Sequence, residues 1–256
     1  MPEIERPEPV GVSFRELVER VDLNLASLSL VPDTGSTLDL EHEITPEDFL
    51  SFAEKDILQD NVRGLVNGLS NAKRAIDCQV EKLLACLGLP SARSFPKKMG
   101  LLTEIGVVAP RIVTKVVRAR NYLEHAYRKP EKEQVEDAVD VATLFVAALE
   151  RSLAFFPESF SLENLVEGLE LVPGILQACK GISFHFHSDR HWFEIQGYVY
   201  DVDMEKKQRT PVFRGNSTLK ASDRGYRELI RLCFSFDKSP APEDDFRKYL
   251  LFILDS

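Results

Sequence analysis

From Phe49 to Leu87 apolar side chains recur at helical spacing: Phe49, Phe52, Ile57, Val62, Leu65, Leu69, Ile76, Val80, Leu83, Leu84 and Leu87. Such a stripe commits the middle of the chain to helices that bury one face against another element. Thr45-Pro46-Glu47-Asp48 opens the run. Thr45 is a capping residue, Pro46 suits the first helical position, and the two acids favour the positive end of the helix dipole. Gly88-Leu89-Pro90 closes it. Asn61, Gly64 and Gly68 are points of interruption, so the run is one long helix or two in line, with a face suited to dimer packing.

Short connections join further helical patterns. Phe95 to Leu102 predicts a short helix. Residues 110 to 127 predict another, with Ile112, Val113, Val116, Val117 and Leu123 on its apolar side. Pro130 cannot sit cheaply inside a helix, and a clean amphipathic pattern restarts at Glu131 and runs to Leu153. The expectation is an up-and-down helical bundle over residues 45–158. Residues 1–44 read as an N-terminal extension, with one helix over 13–30 broken by the turn residues Val31-Pro32-Asp33-Thr34-Gly35-Ser36. After residue 158, Phe160 to Cys179 still reads as helical. Ile182 to Phe213 turns aromatic and β-branched and predicts an antiparallel meander of about three strands. Helices over 222–234 and 242–254 end the chain. The fold class expected is therefore mainly α, a helical bundle followed by a small α+β region over 159–256.

The net charge of -9 counts against extensive tracking of a nucleic-acid backbone. The charge is uneven, however. Between Arg93 and Lys129 nine cationic side chains face two acids, a local +7 within an acidic chain. That balance suits a small anionic target and a limited footprint. The four cysteines, Cys78, Cys86, Cys179 and Cys233, are scattered, which predicts a reducing, cytoplasmic setting without disulfides. No apolar run is long enough to span a bilayer, and the acidic, Pro-rich start has no signal-peptide core.

The densest chemistry lies in Arg118-Ala119-Arg120-Asn121-Tyr122-Leu123-Glu124-His125-Ala126-Tyr127. A guanidinium is always charged and its planar fork matches a phosphate. An imidazole gives or takes a proton near neutral pH. Arg120 and His125 together form a minimal kit for phosphodiester chemistry without a metal. They are five residues apart, so on a regular helix they diverge by about 140°. They meet if Arg120 curls round, if the helix deforms, or if a second subunit supplies the partner.

This stretch resembles the HEPN family, the helical nucleotide-binding domains of higher eukaryotes and prokaryotes. The family's motif is an arginine, a polar residue (often Asn), a few more residues, then a histidine. One branch, toxins paired with minimal nucleotidyltransferases, extends it to R-x4-H-x-Y. Arg120, Asn121, His125 and Tyr127 fill these positions, and the resemblance spans roughly residues 46–155. It implies a HEPN-like bundle that dimerises with two motifs facing each other across a two-fold axis. It implies a metal-independent endoribonuclease, a toxin or defence effector, in which His125 is general acid or base and Arg120 holds the scissile phosphate. Asn121 would orient His125 or the phosphate. Tyr127, with the nearby cations Arg118 and Lys115, would bind RNA substrate. In the toxin branch the tyrosine matching Tyr127 is also where a partner nucleotidyltransferase attaches AMP. The partners implied are RNA, a second copy of the chain, and an antitoxin or nucleotidyltransferase. The alternative is a non-catalytic HEPN-like module for dimerisation and nucleotide or protein binding.

Other candidates carry less. His185 and His187 stand on one side of a strand, as two zinc ligands would, with Asp189 and His191 nearby. No cysteine lies close and Ser188-Asp189-Arg190 reads as a hairpin turn, so exposed histidines are the reading adopted. No metal and no cofactor are expected. Asp201-x-Asp203 lacks the adjacent Gly-Ser that a nucleotidyltransferase needs, no phosphate-binding glycine loop is present, and Ser217 and Ser222 have no nucleophile context.

Overall fold

The structure, a computed structural model, describes residues 8–34, 38, 43–90, 94–107, 130–172, 175–206, 208–236 and 239–255, with the side chains of 167–176 set aside. In chain order the described elements are β1 (Val10–Gly11), α1 (Phe14–Val21), β2 (Ser29–Thr34), α2 (Pro46–Ile57), α3 (Val62–Cys86), α4 (Phe95–Glu104), α5 (Lys132–Ala154), β3 (Ser159–Val172), β4 (Ile175–His187), β5 (Trp192–Asp203), β6 (Gln208–Lys220), α6 (Tyr226–Ser235) and α7 (Pro242–Leu254). They fall into two compact units, Met1–Ser36 with Pro157–Ser256, and Thr37–Phe156. The helical unit is thus an insertion, in sequence, between two parts of a sheet unit. No helix among the described residues is long and apolar enough to cross a membrane.

The helical unit begins with the capping box at Thr45. The Asp48 backbone N–H donates to Thr45 Oγ1 (3.1 Å), and the Thr45 N–H donates to an Asp48 carboxylate oxygen (2.9 Å). The long apolar run is two helices. α2 stops at Ile57, Asp60 takes a positive φ of 47°, and Asn61 caps α3 by accepting from the Gly64 N–H at 2.9 Å. Gly64 does not interrupt α3; it lets the two helices close. A Cβ there would lie 2.3 Å from the Asp56 carbonyl oxygen. Leu65, Leu69, Ala72 and Ile76 of α3 are buried, as are Leu50 and Ala53 of α2 and Val135, Val139, Ala142 and Phe145 of α5.

The chain is not mainly helical. It carries a six-stranded mixed sheet in the order β1-β6-β5-β4-β3-β2, which makes it an α/β arrangement. Neighbours from β2 through β6 run antiparallel, and β1 joins β6 in parallel. Two helical expectations fail for identifiable reasons. Residues 160–172 and 175–179 belong to β3 and β4, and in β3 Phe160, Leu162 and Asn164 point to one buried face at a period of two. An asparagine at the third inward position breaks the apolar alternation that marks a strand. In residues 13–30 the helix ends at Val21, where Asp22 turns left-handed (φ 48°), and Ser29–Thr34 pairs with β3.

Asn164 is buried because it serves the loop after α1. Its Oδ1 accepts from the Asn24 N–H at 2.7 Å, and its Nδ2 donates to the carbonyls of Asn24 (2.9 Å) and Ser27 (3.1 Å). Asn164→Ala leaves these backbone groups without that partner inside the fold, a cost of about 1–3 kcal/mol. Urea unfolding followed by Trp192 emission checks this; an unchanged midpoint would mean that water replaces the amide at no cost.

The inward face of the sheet is aromatic. Phe160 stacks on Phe184 (centroids 4.9 Å apart, 14° between planes) and meets Phe246 of α7 at 5.2 Å. Phe14 of α1 abuts Phe184 edge-on at 6.0 Å, and Tyr226 of α6 meets Phe193 at 5.8 Å. Leu17 and Val21 of α1 are fully buried. Residues near the N-terminus therefore complete a core whose other walls come from beyond residue 157.

Candidate functional site

The residues singled out by the sequence, Lys115, Arg118, Arg120, Asn121, His125 and Tyr127, lie outside the described residues. In sequence they fall between α4 and α5 of the helical unit. Two cations of the described helices are already engaged: Lys82 Nζ is 2.9 Å from Glu150 Oε1, and Lys98 pairs with Glu81. Lys98 is one of the nine cations of the basic stretch, so part of that charge is balanced from α3.

The chemistry that the described residues do bring together lies on the outward face of the sheet. Because successive strand residues alternate, burial of Phe184, Phe186, Phe193 and Ile195 turns their neighbours outward. Across β4, β5 and β6 the outward rows are His187–Trp192–Lys220, His185–Glu194–Thr218, Ser183–Gln196–Asn216 and Gly181–Tyr198–Arg214. Apart from Gly181, every position in these rows carries a polar, charged or aromatic side chain.

The face is internally bonded. His187 stacks on Trp192 (4.6 Å, 15°), and its Nε2 lies 3.1 Å from a Glu194 carboxylate oxygen. The Gln196 amide donates to the other Glu194 oxygen at 2.9 Å. These two contacts, Gln196 first, hold the Glu194 carboxyl below the usual glutamate range. His185 stands edge-on to His187 at 4.7 Å. The Tyr198 ring lies over Gly181, where a Cβ would come within 2.3 Å of it, and its hydroxyl donates to Glu163 at 2.7 Å. Burial, then the Glu163 carboxylate, push the Tyr198 hydroxyl well above its ordinary range. At the β6 edge an open cleft of about 870 Å³ is lined by Trp192, Glu194, Asn216 and Thr218 together with Gly11, Val12 and Ser13.

Among the described residues no group of three or more His, Cys, Asp or Glu side chains is placed to hold an ion. His185 and His187 do share a strand face, but Asp189 pairs with Arg190 in the turn (3.4 Å) and His191 ends that turn with φ 55°. Asp203 closes the β5–β6 turn by accepting from the Lys206 N–H at 3.0 Å. Ser217 is buried on the inward face, and Ser222 donates to Asp223. Trp192, Glu194, Gln196 and Tyr198 were missed by sequence reasoning. Their signal was the alternation Trp-x-Glu-x-Gln-x-Tyr, which puts all four on one face of a strand.

Comparison with family models, with curated proteins and with solved structures found no match.

Proposed function

We propose that the chain is a HEPN-type, metal-independent endoribonuclease that works in the cytoplasm as a toxin or defence effector. The observation that carries the reading is the sequence Arg120-Asn121-x-x-x-His125-x-Tyr127, set between the amphipathic helices α4 and α5. His125 takes the proton from a ribose 2′-hydroxyl, whose oxygen attacks the adjacent phosphorus, or returns a proton to the departing 5′-oxygen. The bond from phosphorus to the 5′-oxygen breaks, leaving a cyclic phosphate. Arg120 holds the phosphate and stabilises the charge growing on it. Asn121 orients His125 or the phosphate, and Tyr127, Arg118 and Lys115 hold substrate. Each motif has one histidine, so a homodimer with two motifs in one cleft supplies both a base and an acid. An antitoxin or a nucleotidyltransferase that adds AMP to Tyr127 would silence the enzyme.

The test uses an RNA oligonucleotide and its fully 2′-deoxy counterpart in excess chelator. Cleavage of the RNA alone, with cyclic phosphate ends, is expected. Cleavage of both would exclude the 2′-hydroxyl mechanism. Cleavage of neither by a protein whose intact mass shows no added AMP would favour the binding module.

A further inference from the structure

On the outward sheet face three aromatic side chains of β5 each stand beside a cation of β6, with Glu194 and Gln196 between the first aromatic and the second. β5 presents Trp192, Tyr198 and Tyr200 at outward positions along one strand. Beside each, β6 presents a cation. Lys220 is directly opposite Trp192, and Arg214 directly opposite Tyr198. Past the register shift between Val199 and Tyr200, the Arg209 guanidinium lies over the Tyr200 ring, 4.7 Å from its centroid. Lys220 is exposed, and Arg214 and the three aromatics are half-buried. Neither Lys220 nor Arg214 has an ion-pair partner among the described residues. From Trp192 to Tyr200 the column runs about 26 Å at the usual rise of a strand.

We infer that this face binds single-stranded RNA, with bases on the β5 aromatics and phosphates along the β6 cations. Aromatic rings accept any base by stacking, and adjacent cations neutralise the backbone that connects the bases. A duplex keeps its bases paired and stacked within itself, so it cannot use such a platform. The carboxylates near the Trp192 end are each occupied within the unit: Glu16 by Arg20 (2.6 Å), Glu194 by His187 and Gln196, and Asp223 by the Lys220 N–H (2.8 Å). The inference deepens the ribonuclease reading by giving an acidic chain a second, charge-economical hold on its substrate, and it rests on that reading for the choice of RNA.

Trp192 is the single tryptophan of the chain, so its emission reports on this face without a label. The experiment titrates the full-length His125→Ala chain, which leaves RNA intact, with a single-stranded oligouridylate and with a duplex of equal length. Saturable quenching by the single strand and little by the duplex is expected. Lys220→Glu combined with Arg214→Glu should weaken the single strand at least about tenfold and flatten the salt dependence, because two phosphate contacts are lost. The unliganded emission maximum of each variant shows whether its sheet unit is folded. Quenching absent, equal for duplex, or indifferent to the charge reversals in folded protein would overturn the inference. Quenching by a basic peptide or a neutral oligosaccharide in place of RNA would assign the face to another occupant. None of these outcomes depends on cleavage, so a failed nuclease and a failed binding face are told apart.

Discussion

His125→Ala protein is expected to cleave RNA about 10²–10⁴-fold more slowly than the native chain, the usual loss when a general acid–base is removed. Arg120→Ala should cost about 10²–10³-fold, as for the loss of a donor aimed at transition-state charge. In the proposed mechanism the two residues act on one phosphate, so the double variant should be little worse than the poorer single one. Single-turnover cleavage with enzyme in excess measures all three rates. Full multiplication of the two effects would mean that the residues act in separate steps or at separate sites.

Deleting residues 1–36 is expected to unfold the sheet unit outright. α1 contributes Phe14, Leu17, Val18 and Val21, all buried. Burying side chains of this size contributes roughly 1.5–3 kcal/mol each, and the four together rival the whole stability of an ordinary domain. The deletion also removes β1 and β2 from the two edges of the sheet and the loop held by Asn164. The red shift of Trp192 emission in the 37–256 fragment checks this. Native emission and a cooperative unfolding transition in that fragment would show that the carboxy-terminal strands fold by themselves.

The difference between the two units explains what could be read from the sequence. Helices α2, α3 and α5 announce themselves through long 3.6-residue stripes and local caps. Thr45 and Asn61 act on backbone two or three residues away, so their role is visible in sequence. The sheet unit is held together by distant partners. Asn164 looks like a polar interruption until Asn24 and Ser27 lie beside it. Phe14 looks like the start of an isolated helix until Phe184 stands edge-on to it. Likewise the His185 and His187 pair could be placed on one strand face from spacing, but their neighbours Trp192 and Glu194 depend on the β4–β5 register. The pairing of Lys98 with Glu81 depends on how α3 and α4 meet, which no local pattern records. The Arg120–His125 motif is read from residue types and spacing alone, and it lies outside the described residues.

The most direct measurement incubates purified native chain with a mixed RNA pool in excess chelator, beside Arg120→Ala and His125→Ala. A metal-independent HEPN nuclease predicts cleavage by the native chain that is lost in both variants. Cleavage that survives both substitutions, or that appears only when a divalent cation is restored, would contradict it.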